Sequence, residues 1–198
     1  FRLEKSFCLI RKSLHNPPAF INKSPVLFAF GCAIIRLQNI SAKVRKCSFM
    51  LDFLQQEKID PELLAGIRAF REKYPVSEAL AARVPKPRYH YYGKEIWQAA
   101  IAALLCGENL LLAGSKATGK NVLAENLAMA FYRPAWDVSF HVNMDAASLI
   151  GMDTFVNGQV QFRPGPVYLS AQNGGFAVLD EINMAKNEAL AVLHATLD

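Results

Sequence analysis

The rhythm of apolar and polar residues changes several times along this chain, and each change marks an element. After residue 60, Leu63, Leu64, Ile67 and Phe70 recur three and four apart, which is one face of a helix. Asp60 can cap its start, Pro61 suits the first helical position, and Pro75 ends it. Ser77 can cap a short helix running to residue 83, and Pro85 and Pro87 break the chain into a linker. Three tyrosines at 89, 91 and 92 follow. The spacing then predicts a helix over 94–106, with 99–105 as its core face and Gly107 as its stop.

From there the period shortens and lengthens by turns. Residues 109–113 (NLLLA) form an apolar run fit for a buried parallel strand. A loop over 114–119 and a helix over 120–131 follow, then a second strand over 138–142 and a short helix over 145–150. Residues 154–162 read as two short strands about Asn157-Gly158, a pair that tolerates the positive φ of a tight hairpin. A helix over 166–173, a third buried strand over 175–179 and a last helix over 187–197 complete the pattern. Alternating strands and helices predict an α/β fold: a parallel sheet flanked by helices.

Composition divides the chain. Of 198 residues, 52% are hydrophobic and 20% charged, the proportions of a foldable chain. Nine of the 22 Lys/Arg but only one of the 17 Asp/Glu fall in residues 1–49, so that stretch carries +8 and the remainder −3. The mildly acidic remainder argues against nucleic acid as a partner. Residues 1–49 contain no Met and show no clean period, and the first Met, Met50, opens ordinary protein sequence. We therefore expect 1–49 to be a non-native upstream extension, disordered or irregular, with translation starting at Met50. Residues 50–88 then form a helical segment and linker, and 89–198 the α/β core. The longest apolar run, 26–35, is too short to span a bilayer, and no export signal is read. Cys8, Cys32, Cys47 and Cys106 lack metal spacing and read as reduced thiols of a cytoplasmic protein. His15, His90, His141 and His194 show no paired spacing either.

Two segments carry chemistry. Gly114-Ser115-Lys116-Ala117-Thr118-Gly119-Lys120-Asn121 fits the phosphate-loop pattern G-x-x-x-x-G-K-[ST] except at its last position. Such a loop converges backbone N–H groups on an anion, the following helix adds its dipole, and Lys120 adds a full charge. Asn121 stands where a Ser or Thr hydroxyl usually ligates Mg²⁺; its amide oxygen is also a hard ligand, but longer. About sixty residues on, the third strand ends in Asp180 and Glu181. Strand ends are where α/β sheets bind ligands, so Asp180 is suited to hold Mg²⁺ and Glu181 to activate water as a general base. The bland alternatives are a glycine turn that binds nothing and acids that merely cap the next helix.

These segments, with Tyr92-Gly93-Lys94, the stretch from Leu149 through Phe162-Arg163-Pro164-Gly165-Pro166, and VLDEINMAKNEALAVLHATLD, resemble the MoxR group of AAA+ ATPases. That dynein-related group includes the activators of nitric oxide reductase and of Rubisco. The resemblance covers roughly residues 89–198. It implies a P-loop NTPase core of AAA+ type with a β-hairpin inserted in its second helix, truncated here before the helical lid. It further implies ATP and Mg²⁺ as ligands and a homo-oligomeric ring, hexameric in full-length form, acting as a chaperone-like remodeller on a client or adaptor protein. By residue, the loop from Gly114 to Asn121 would wrap the phosphates, with Lys120 and Glu181 catalytic and Asp180 and Asn121 on the metal. The Tyr91–Gly93 stretch, Tyr92 and Gly93 above all, would pass the adenine with its backbone, and Asn143, at the second strand's end, would restrain Glu181. Tyr89, Tyr91 and Tyr92 with His90 read as packing residues beside the adenine site, with a base-stacking platform as the alternative. Arg163 could meet a phosphate, a neighbouring subunit or solvent. Sensor residues, arginine finger and lid are not found in these residues, which predicts weak nucleotide binding and little hydrolysis for the chain as given. The competing reading is a nucleotide-binding switch that hydrolyses little because of Asn121.

Overall fold

The computed structural model describes residues 6–12 and 49–197. The readings of the apolar run at 26–35 and of His15, Cys32 and Cys47 fall outside them. Helical residues 49–56 (α1) lead into α2 (Pro61–Lys73), α3 (Glu78–Ala81) and α4 (Lys94–Leu105). Asp60 caps α2 through its carboxylate, which accepts from the N–H of Glu62 at 2.8 Å. The core then alternates: β2 (Leu110–Gly114), α5 (Lys120–Ala130), β3 (Ala135–Ser139), α6 (Ala146–Ile150), β4 (Gly151–Val156), β5 (Gln159–Pro164), α7 (Pro166–Gln172), β6 (Phe176–Asp180) and α8 (Asn187–Leu197).

Three layers result. Along β6 the side chains alternate between two cores, as the pleat requires. Phe176 and Val178 join α1, α2, α4 and α5 in the larger core, around Trp97, Ile101, Leu127 and Phe131. Ala177 and Leu179 join α6, α7 and α8 in the smaller one, around Leu149, Val167 and Leu193. Helices therefore cover both faces of β6, and its run FAVLD is buried but for its last residue.

Three differences from the expected pattern matter. Residues Ser6–Lys12, expected to be irregular, form a strand (β1) that lies between β2 and β6 and pairs antiparallel with both. The sheet order is β2-β1-β6-β3, so the sheet is mixed, although β6 and β3 pair in parallel. In the middle place the backbone groups of β1 are paired on both sides. Second, β2 is an edge strand: Leu110 and Leu112 pack on the larger core, while Leu111 is 60% exposed, not buried. Third, β3 starts three residues earlier than its apolar pattern suggests. Its register is fixed by pairing with β6, which matches Ala135 to Phe176 and Ser139 to Asp180.

The hairpin β4–β5 stands between α6 and α7 and turns at Asn157 and Gly158, whose φ values are 52° and 78°. Phe155 and Val160 face each other across it and are 75% and 69% exposed. At its base the ring of Phe162 meets that of Tyr168 edge-on, and the N–H of Gly165 donates to the carbonyl of Ile150 at 2.8 Å.

Candidate nucleotide-binding site

The site forms where β2 turns into α5. Ala117 and Gly119 adopt left-handed φ values of 61° and 82°, which fold the loop into a cradle of N–H groups. Gly119 is favoured there by its φ, which disfavours a side chain; the Tyr91 ring lies 3.4 Å from where a Cβ would stand, an ordinary contact. Gly119 is also the N-cap of α5, yet no side chain caps the helix and no acid sits in its first turn. The first N–H groups of the helix thus face a cleft of about 350 Å³, lined by the loop residues Lys116–Val122 together with Asp180 and Glu181.

The amine of Lys120 folds back over the loop and donates to the carbonyls of Ser115 (2.7 Å) and Gly114 (3.2 Å) and to the hydroxyl of Thr118 (3.4 Å). These partners are neutral, so an arriving phosphate can draw the amine away without breaking an ion pair. Across the cleft, Asn121 Nδ2 donates to Asp180 Oδ2 at 2.9 Å, while Asp180 Oδ1 accepts from the N–H of Glu181 at 2.9 Å. Glu181 has a left-handed φ of 52° and starts the 3₁₀ turn Ile182–Met184. A non-glycine residue held in that region stores strain, which is concentrated at functional sites.

Sequence spacing alone could not establish that the loop and the paired acids share one cleft; the structure brings them together. A triphosphate fits what is present: a cradle of donors, an uncapped helix start and the cations Lys116 and Lys120 in the lining. Mg²⁺ fits too, since it is commonly held by one or two carboxylates plus phosphate oxygens, and Asp180 and Glu181 border the same cleft.

Other expectations shift. Tyr92 is 69% exposed and meets Phe53 edge-on, away from the loop, whereas Tyr91 packs against Gly119. Tyr91 also borders a second hollow with Ile96, Leu111 and Leu123 on the other flank of the loop. Gly93 caps α4 with a φ of 144°. His90 stacks on Phe53 with ring centres 4.3 Å apart, so it packs within the protein instead of offering a platform for bases. Because β3 ends at Ser139, Asn143 lies in a turn beyond it, where its N–H donates to His141 Nδ1 at 3.3 Å.

Two positioning residues escaped the sequence reading. Asn126, fully buried on α5, donates to the carbonyl of Tyr89 at 2.9 Å, and Trp97 Nε1 donates to that of Tyr91 at 2.8 Å. Together they pin the 89–91 segment against the loop. An amide among Leu123, Ala124 and Leu127 on an apolar helix face was the available signal for Asn126.

Acids extend outward from the cleft on the α5 face of the sheet. Loss of water around its carboxyl, and then the charge of Asp180, raise Asp137 above the usual aspartate range. Desolvation and then Asp137 raise Glu125 in turn.

Residues 109–198 match the profile of the AAA domain, dynein-related subfamily. This AAA match starts one residue before β2 and takes in the loop, the hairpin and the acidic strand. It supports an α/β phosphate-loop fold and, at the level of the family, an ATP-binding ATPase. Among similar proteins are YojN of Bacillus subtilis, 35% identical over 149 residues (73% of this chain, 49% of that protein), and SH1500 of Staphylococcus haemolyticus, 35% identical over 118 residues (57% and 45%). SSP1341 of Staphylococcus saprophyticus is 36% identical over 108 residues (52% and 41%). All three are described as uncharacterized. The chain spans about half the length of these relatives or less. No solved structure matches it significantly. Among the described residues no helix is long and apolar enough to cross a membrane.

Proposed function

We propose that this chain supplies the nucleotide-binding half of a MoxR-type AAA+ ATPase, which uses ATP hydrolysis to remodel a partner protein. The observation that carries the reading is the shared cleft: an uncapped helix start and Lys120 on one wall, Asp180 and Glu181 on the other. The loop N–H groups and Lys120 would bind the phosphates, and the 89–93 segment would border the base. Asp180, with Asn121 beside it, would hold Mg²⁺, which when bound neutralises charge developing on the phosphate oxygens. Glu181 would take the proton of the attacking water. Asn143 would restrain Glu181 between turnovers.

The exposed hairpin with Phe155 and Val160 near its tip supports a partner-facing role in a homo-oligomeric, hexameric ring, because exposed apolar side chains on a protruding hairpin favour contact with another surface. The client or adaptor is a protein, and the setting is the cytoplasm. The Asn121–Asp180 hydrogen bond favours one alternative, a nucleotide-responsive switch with little turnover.

Phosphate release by the full-length protein tests the proposal. Glu181→Gln should lower turnover by about 10²- to 10⁴-fold, the usual contribution of a positioned base, while nucleotide still binds. Turnover that persists in the variant would remove Glu181 from the reaction, and no turnover by the wild type would favour the switch.

A further inference from the structure

We infer that Asn121 clips Asp180 in a metal-free arrangement and thereby makes nucleotide binding at this site nearly independent of divalent metal. The inference rests on the nucleotide reading above and concerns how that site treats its metal. Its basis is the 2.9 Å hydrogen bond from Asn121 Nδ2 to Asp180 Oδ2, made while Asp180 Oδ1 already accepts from the N–H of Glu181. Both oxygens of the carboxylate nearest the loop therefore have protein donors.

The chemistry of the two candidate side chains differs at this position. A Ser or Thr hydroxyl gives its hydrogen to a carboxylate and a lone pair to a metal from one and the same oxygen. An amide divides those roles between two atoms. An ionised aspartate only accepts, so Asn121 must turn its NH₂ toward Asp180 and its carbonyl oxygen away from it. A cation arriving beside Asp180 Oδ2 then meets the positive end of the amide dipole. To contribute an oxygen, Asn121 must rotate and give up its bond to a charged acceptor, the stronger class of hydrogen bond. Metal and amide compete for one carboxylate. The phosphate contacts of the loop N–H groups and Lys120 do not pass through Asp180, so they persist without metal.

Binding of a fluorescent ATP analogue to the full chain, in excess Mg²⁺ and in excess EDTA, tests this. For the wild type the two Kd values should agree within about three-fold. For Asn121→Thr, Mg²⁺ should tighten binding at least about ten-fold, equivalent to roughly 1.4 kcal/mol. Asn121→Ser should behave as the threonine variant does, which guards against a defect peculiar to the branched side chain. A wild type that gains as much from Mg²⁺ as the variants overturns the inference and leaves the nucleotide site standing. Equal indifference to Mg²⁺ in all three proteins also overturns it, since Asn121 would not be the cause. If the analogue binds to none of them under either condition, the nucleotide reading itself fails and this inference with it.

Discussion

The two ends of α5 are treated in opposite ways. At its C-terminal end the last carbonyls are closed off by a cation of the protein: Arg71, from α2, donates to Ala130 at 2.8 Å and to Met129 at 3.1 Å. Just beyond, the 7%-exposed Arg133 donates to the carbonyls of Tyr74 (2.9 Å), Asn173 (3.2 Å) and Gly174, which end α2 and α7. At the N-terminal end the groups of opposite polarity are left open to the cleft, and the nearby cation, Lys120, is half-exposed on two carbonyls and the Thr118 hydroxyl. A helix dipole offers two poles. Here one is spent on holding the fold together and the other is kept for a ligand. Burial separates the two cations: both rest on backbone oxygens, but only Arg133 is enclosed, so only its loss would strand carbonyls away from water.

The largest effect should come from the open end. Lys120→Ala should loosen an ATP analogue by roughly 100-fold, in line with loss of a charged contact, and change Tm by about 1 °C or less. A large fall in Tm would erase the distinction between the ends. Arg133→Met should do the reverse. Stranding three carbonyl groups should cost about 3 kcal/mol and lower Tm by roughly 6–12 °C for a chain of this size, with analogue affinity nearly unchanged. Thermal melts and binding titrations on the same two proteins decide between them.

The smallest effect concerns the acids beside the open end. Asp137 has a folded-state pKa raised by desolvation and by Asp180, so the folded state holds its proton more tightly than the unfolded one. Its ionised form is therefore unfavourable once pH rises above that folded pKa. Asp137 is exposed, so solvent screens much of this cost; Asp137→Asn should raise Tm by no more than about 1 °C at pH 7, and the gain should shrink as pH falls into the range where the wild-type carboxyl is itself protonated. A gain of equal size at acid pH would point to packing and not to charge.

Local signals carried far in this chain. Asp60 and Pro61 announced α2, Asn157-Gly158 announced the hairpin, and the glycine spacing announced the phosphate loop, because each depends on neighbours only a few residues away. Long-range pairing decided what remained. The register of β3 follows β6, some forty residues later, against its own apolar pattern. The reach of Asn121 to Asp180 spans 59 residues, as does that of Arg133 to Tyr74. Arg133 sits in a stretch, Tyr132-Arg133-Pro134, with no local reason to be buried. Which tyrosine meets the loop was likewise settled by Asn126 and Trp97, whose partners are carbonyls that any residue would supply.

The interposed strand β1 also acts as a ruler. Neighbouring strands lie about 4.8 Å apart, so one strand between β2 and β6 sets the loop strand and the acid strand roughly 10 Å from each other. α5 crosses above that interval and touches β2, β1 and β6. Were β2 and β6 direct neighbours, the two walls of the cleft would close on each other; two strands between them would carry Asp180 beyond the reach of Asn121. The width available to a metal and its phosphates is in this sense counted out in whole strands, and any segment that takes the middle place inherits the task of keeping the gauge.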